Sequence, residues 1–280
     1  MKIFVNNINI AFSKYGKGFP ILLLHGYPQT KLMWRKIIPL LSKYYTVITA
    51  DLRGYGDSDK PVSKANHSTY SKREMAKDQM LLMKKLGYSE FFCIGHDRGA
   101  RVFHRAALDY PKMVKKLVLI DIVPTLHIYK NLNKNVSESF FHWFLLSRKK
   151  PLPENLISNN KEYYIKSMLG RLSNTNQFLE KKVIDTYVKK FSKKSIIASC
   201  EDYRAGASID LMHHKKDSKK IYCPTLVLWG KKSLVGKNFK PLSVWKKYIK
   251  NLSGKALNGG HYLPEEKPYQ VANQILNFLE

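Results

Sequence analysis

Cysteine is scarce in this sequence, with only Cys93, Cys200 and Cys223 among 280 residues. So few thiols, so widely scattered, supply neither a disulfide framework nor a zinc site, and they read as buried and reduced. No apolar run approaches the roughly 18 residues that span a bilayer, which excludes a membrane-spanning class. The opening Met1-Lys2-Ile3-Phe4-Val5-Asn6-Asn7 turns polar before a signal-peptide core can form, so a cytoplasmic location is expected. Internal repeats, low-complexity tracts and Pro- or Ser-rich linkers are lacking as well, which excludes solenoids and disordered spacers. Acidic residues are few: 21 Asp and Glu stand against 49 Lys and Arg, for a net charge of +28. Such a surplus raises nucleic acid as a partner. Its distribution argues against one. Lysine pairs at Lys115-Lys116, Lys189-Lys190, Lys193-Lys194, Lys219-Lys220 and Lys246-Lys247 recur along the whole length without aromatic interleaving, and read as solvated helix faces.

What is present is an alternation of short, branched apolar runs with helical stretches, the signature of an α/β protein with a mostly parallel sheet. Ile21-Leu22-Leu23-Leu24, Thr46-Val47-Ile48-Thr49-Ala50, Phe91-Phe92-Cys93-Ile94 and Lys116-Leu117-Val118-Leu119-Ile120 are predicted as strands buried on both faces. Thr225-Leu226-Val227-Leu228-Trp229 returns to the same pattern. Between them helical periodicity takes over, through Phe140-Phe141-His142-Trp143-Phe144 and Val183-Ile184-Asp185-Thr186-Tyr187. The expected organisation is a core of residues 1–123 and 221–280, with 124–220 inserted as a helical cap. In open parallel sheets a ligand sits beyond the carboxyl ends of the strands, so the residues that follow strands are the candidates for chemistry.

Gly95-His96-Asp97-Arg98-Gly99 follows one such strand and opens a helical pattern, the context of a nucleophile elbow. Its central residue is Asp rather than Ser. Two glycines permit the tight turn, and free amides at the start of the helix favour an anion at Asp97. A carboxylate nucleophile suits attack on a saturated carbon, giving an ester that water then hydrolyses. By itself the pentapeptide reads equally well as a glycine-rich turn with an Asp cap. Three further segments accompany it. Asn258-Gly259-Gly260-His261 lies late in the chain, where His261 is the candidate base for the hydrolytic water. The loop after Trp229-Gly230 holds no carboxylate, so Asp121, at the end of the strand after the nucleophile helix, becomes the candidate to orient the imidazole. His25-Gly26-Tyr27-Pro28 supplies the Tyr27 amide, which with the Arg98 amide makes a candidate oxyanion hole.

Together with Asp51-Leu52-Arg53-Gly54-Tyr55-Gly56-Asp57-Ser58 and Asp121-Ile122-Val123-Pro124-Thr125, these segments resemble α/β-hydrolases of the haloalkane dehalogenase and epoxide hydrolase branch. Within that branch, Arg98, Arg101, His142-Trp143 and Tyr203 make the chain most similar to the fluoroacetate dehalogenases. The resemblance implies an α/β-hydrolase fold, a homodimer, no cofactor or metal, and a small anionic haloacid as substrate. It implies that Arg98 and Arg101 bind the substrate carboxylate and that His142, Trp143 and Tyr203 bind the departing halide. The electrostatics fit that implication, because two unit charges about 4 Å apart repel by roughly 4 kcal/mol at an effective dielectric of 20. An anionic substrate beside ionised Asp97 therefore needs cations, and a neutral one would leave a guanidinium poorly compensated. Without the resemblance, Arg101 reads as well as one half of a structural ion pair, His142 and Trp143 as core packing, and Tyr203 as a loop tyrosine. Arg105 and Asp109, four residues apart, are expected to form an ion pair. The cap segment around Gly170-Arg171-Leu172 is more basic than the family pattern implies. Two other function classes stay open: an epoxide hydrolase with Tyr203 or Tyr163 as acid, and a non-catalytic receptor or nucleic-acid binder.

Overall fold

A computed structural model describes residues 1–173, 178–217 and 219–280, without the side chains of 171–173. Arg171 and Leu172 of the basic cap segment thus lie outside the described side chains. The strands are β1 (Lys2–Val5), β2 (Ile8–Tyr15), β3 (Pro20–Leu24), β4 (Thr46–Ala50), β5 (Phe91–His96), β6 (Val114–Ile120), β7 (Thr225–Gly230) and β8 (Leu252–Leu257). They form one sheet in the order β1-β2-β4-β3-β5-β6-β7-β8. Only β1 with β2 and β2 with β4 pair antiparallel; the other five pairings are parallel.

The parallel strands are apolar on both faces because each face is covered. Leu22, Leu24, Ile48, Cys93, Leu117 and Leu119 pack into one buried cluster. Their strand neighbours Ile21, Leu23, Val47, Ile94, Val118 and Ile120 pack into another. This is the two-residue period of a strand sorted between two layers. Each such side chain contributes roughly 1.5–3 kcal/mol on burial.

Three strands have no counterpart in the sequence-based expectation. The chain start forms β1 and β2, joined through Asn6 and Asn7 at positive φ of 49° and 62°, the backbone that a two-residue hairpin demands and asparagine tolerates. The edge strand β8, Leu-Ser-Gly-Lys-Ala-Leu, is half solvated and carries Gly254 and Lys255, so its composition hides it.

From Thr125 to Lys216 the described residues form eight helices between β6 and β7, from Thr125–Lys130 to Ile209–Lys216. The longest, Lys193–Ala207, contains Tyr203, so this side chain is a buried helical tyrosine rather than a loop residue. The helix is anchored at its start, where the Ser192 hydroxyl accepts from the Ser195 amide. Among the described residues no helix is long and apolar enough to cross a membrane.

Candidate active site

Strand register brings the acidic residues together. In the β5–β6 ladder His96 lies opposite Ile120. The next residues, Asp97 and Asp121, therefore leave the sheet side by side at its carboxyl edge. The Asp97 amide donates to Ile120 O (3.2 Å) and the Asp121 amide to Leu228 O (2.8 Å). Both bend sharply there, with φ of 44° at Asp97 and 54° at Asp121. Backbone of this kind costs of order 1–3 kcal/mol per residue and persists where the surrounding structure enforces it. Glycines make the bend possible. A Cβ on Gly26 would lie 2.5 Å from the Asp97 Cβ, and one on Gly99 would lie 2.4 Å from Leu24 O.

The Asp97 carboxylate is held by the Tyr27 amide, which donates to Oδ2 (2.9 Å). The other oxygen, Oδ1, has no hydrogen-bond partner among the described residues. Burial alone would raise the Asp97 pKa, but His261, Arg101 and Arg98 outweigh it and bring the value down to about 2. His261 Nδ1 meets Asp121 Oδ2 at 2.6 Å. The other oxygen of Asp121 accepts from the Gly230 amide (2.9 Å) and the Ser233 hydroxyl (2.7 Å). Burial lowers the His261 pKa, yet the Asp121 hydrogen bond and charge prevail and hold it above the ordinary imidazole value. Clamping of the loop continues around it. Glu266 accepts from the amides of Gly260 (2.6 Å) and Tyr262 (2.9 Å), and His96 Nε2 bonds His261 O (2.8 Å).

These groups surround a cavity of about 20 Å³ lined by Asp97, Asp121, His261, Tyr27, Arg101, His142, Trp143, Phe140, Leu234 and Val235. Arg98 and Tyr203 are not among its lining residues. The two arginines differ in what holds them. Arg98 Nε donates to Asp202 Oδ2 (2.9 Å) and Nη2 to Asp202 O (2.9 Å), with a further ion pair from Nη2 to Oδ1. Arg101 Nη1 donates to two neutral acceptors, Val123 O and Thr125 Oγ1, each at 2.9 Å. Among the described residues Arg101 has no ion pair, so the alternative of a structural pair does not apply to it; Arg105 with Asp109 is such a pair (2.5 Å). Burial lowers the Arg101 pKa to about 10, against the support of Asp97, and leaves the group charged at neutral pH.

Each guanidinium also stacks on an aromatic ring, Arg98 over Tyr203 (4.2 Å to the centroid) and Arg101 over Trp143 (4.7 Å). Arg98 thus stands against Asp202 and Tyr203, whereas Arg101 lines the cavity. Its Nη1, like Arg101 Nη2, has no hydrogen-bond partner among the described residues. Tyr203 packs against the rings of Tyr27 (5.3 Å), His142 (5.8 Å) and Trp143 (6.1 Å), so the three cap side chains expected at the halide are neighbours. Tyr163 is 76% exposed and does not reach the site. Its neighbour Tyr164 meets the Tyr27 hydroxyl instead (3.0 Å). Asp202, Ser233 and Glu266 escape the sequence reading. The roles of Asp202 and Ser233 depend on contacts across 104 residues for Arg98 with Asp202 and 112 for Ser233 with Asp121, while Glu266 acts on amides four and six residues away.

The arrangement brings a carboxylate, an amide donor, an imidazole and a guanidinium that has no ion pair among the described residues around one small space. A family model described as alpha/beta hydrolase fold matches residues 20–268. A fluoroacetate dehalogenase from Burkholderia sp is 37% identical over 98% of this chain and 91% of its own. A soluble epoxide hydrolase from Corynebacterium sp. (strain C12) is 33% identical over 98% of this chain and 94% of its own. A solved mutant from Pseudomonas aeruginosa, described as an epoxide hydrolase with bound MFA, is 36% identical, covers 100% of this chain and 94% of that one, and superposes with a TM-score of 0.93. The chain is a hydrolase and belongs to the alpha/beta hydrolase fold family.

Proposed function

We propose that the enzyme hydrolyses haloacetates to glycolate and halide through an ester on Asp97. The observation that carries this reading is the Arg101 guanidinium, which lines the cavity with Asp97 yet hydrogen-bonds only neutral acceptors and forms no ion pair among the described residues. Such a buried cation calls for an anionic ligand, and the space of about 20 Å³ suits one only a few atoms long. Charge-assisted hydrogen bonds of this kind are worth about 1.5–3 kcal/mol each.

In the first step Asp97 Oδ1 attacks the α-carbon from behind the halogen. The carbon–halogen bond breaks as the carbon–oxygen bond forms, and halide leaves toward His142, Trp143 and Tyr203. Oδ2 is the carbonyl oxygen of the resulting ester. It already accepts the Tyr27 amide, so the oxyanion donor is in place before charge develops. The Arg98 amide, first in the helix Arg98–Asp109, is the second donor. His261, oriented by Asp121, takes a proton from water, and the hydroxide attacks the Asp97 carbonyl carbon. The leaving glycolate oxygen recovers that proton from His261, and the restored Asp97 carboxyl releases its own to solvent. No cofactor is needed for any step.

Halide release from fluoroacetate, chloroacetate and bromoacetate, measured beside diol formation from styrene oxide, tests the assignment. Halide from the acids without diol supports it. Diol without halide overturns it in favour of an epoxide hydrolase, the activity of the Corynebacterium relative.

A further inference from the structure

Lys72 begins the core helix Lys72–Lys85 but is only 5% exposed. Its ammonium pairs with Asp202 Oδ1, the same oxygen that Arg98 Nη2 engages, and stands 3.7 Å from Asp210 Oδ2. The Lys72 amide donates to Asp210 Oδ1 (2.8 Å), and Tyr55 OH donates to Asp202 Oδ2 (2.7 Å). Lys72, Asp210 and Arg101 also line a second cavity of about 30 Å³, so Arg101 is a wall of both this cavity and the one beside Asp97.

Lys72, Arg98 and Arg101 face Asp97, Asp202 and Asp210, three cations to three anions. A substrate carboxylate is a fourth anion. If Asp202 belonged to Arg98 alone, that pair would present little net charge, and Arg101 would face both Asp97 and the substrate unaided. Because Asp202 divides its charge between Lys72 and Arg98, part of the positive field of Arg98 is left uncancelled, and Nη1 is the atom without a hydrogen-bond partner among the described residues.

We propose that Lys72 is a positioning residue for anion binding, acting through Asp202 to keep Arg98 effectively cationic toward the substrate carboxylate. The inference rests on the haloacid reading of the cavity, so its test uses acetate, an unreactive anion of the same size, and needs no turnover. Calorimetric titration of acetate is expected to show binding weakened about tenfold in Lys72→Met. Lys72→Arg should restore the wild-type constant to within about twofold. Asp210→Asn removes the carboxylate that competes for Lys72 and should act in the opposite direction, tightening acetate about threefold. A loss of packing alone would give neither the rescue nor the opposite sign. An unchanged constant in folded Lys72→Met, or weaker binding in Asp210→Asn, overturns the inference, and Asp210→Asn decides it alone if Lys72→Met does not fold. Absence of acetate binding to the wild type would instead remove the haloacid reading itself.

Discussion

The chemical end of the sheet and the cap knot around Asp202 are both buried and charged, yet they are balanced in different ways. At Asp202, Arg98, Lys72 and Tyr55 fill both carboxylate oxygens, and burial is outweighed so that the group stays ionised. The knot joins the core helices Lys72–Lys85 and Arg98–Asp109 to the cap helix Lys193–Ala207. Across the Tyr203 and Trp143 rings, Arg101 has only neutral acceptors and Asp97 keeps an oxygen for chemistry. A charge fully paired by its own chain holds the structure together. One left incompletely paired is available to a ligand.

Substitutions on the two sides should separate these roles. The largest effect is expected from Asp97→Asn, which removes the proposed nucleophile and should lower halide release by at least about a thousandfold while the fold persists, as circular dichroism would show. Retained turnover would break the comparison at its catalytic end. Asp202→Ala should destabilise the protein by about 3–5 kcal/mol in urea unfolding, because two buried cations lose their partner. Arg101→Gln should instead leave stability nearly unchanged and raise the KM for chloroacetate about thirtyfold, the equivalent of roughly 2 kcal/mol. Ser233→Ala, which removes one donor to Asp121, should cost about 1 kcal/mol of stability and reduce kcat only severalfold.

The two catalytic titrations have opposite signs. The folded pKa of Asp97 is lowered to about 2, so its stabilising contribution is present above the ordinary value of 3.8 and fades as the pH falls toward 2. That of His261 is raised, so its contribution is complete below 6.5 and is lost as the pH rises through the folded value. Hydrolysis needs the neutral imidazole. The ester-hydrolysis rate, followed in single turnovers, should therefore rise with pH around a midpoint above 6.5, and a midpoint below it would contradict the Asp121 pairing.

Much of this site is legible in the chain because register and chain order determine it. Asp97 and Asp121 follow consecutive parallel strands, and a loop without a carboxylate after Gly230 leaves Asp121 as the acid. That same loop nonetheless contributes Ser233, since a hydroxyl can brace a carboxylate it cannot replace. The Asp202 knot is not legible. A buried aspartate in a basic, helical stretch looks like any polar residue until its partners are known, and Lys72 looks like one more solvated lysine. Most of the paired lysines do follow that reading, since Lys115, Lys189, Lys193, Lys194, Lys219, Lys220, Lys246 and Lys247 are exposed, but Lys116 and Lys190 are half-buried and Lys115 and Lys116 stand on strand β6 rather than on a helix. Tyr203 misleads for a related reason, because Gly206 nearby suggests a loop where packing against Tyr27 and His142 supports a helix.

The central claim is that Asp97 forms a covalent ester whose hydrolysis depends on His261. Incubating His261→Asn with bromoacetate and mapping peptides by mass spectrometry tests it most directly. The account predicts a carboxymethyl group accumulating on Asp97 in the variant and none persisting in the wild type. An unmodified Asp97 peptide from folded variant, with halide nevertheless released, would contradict it.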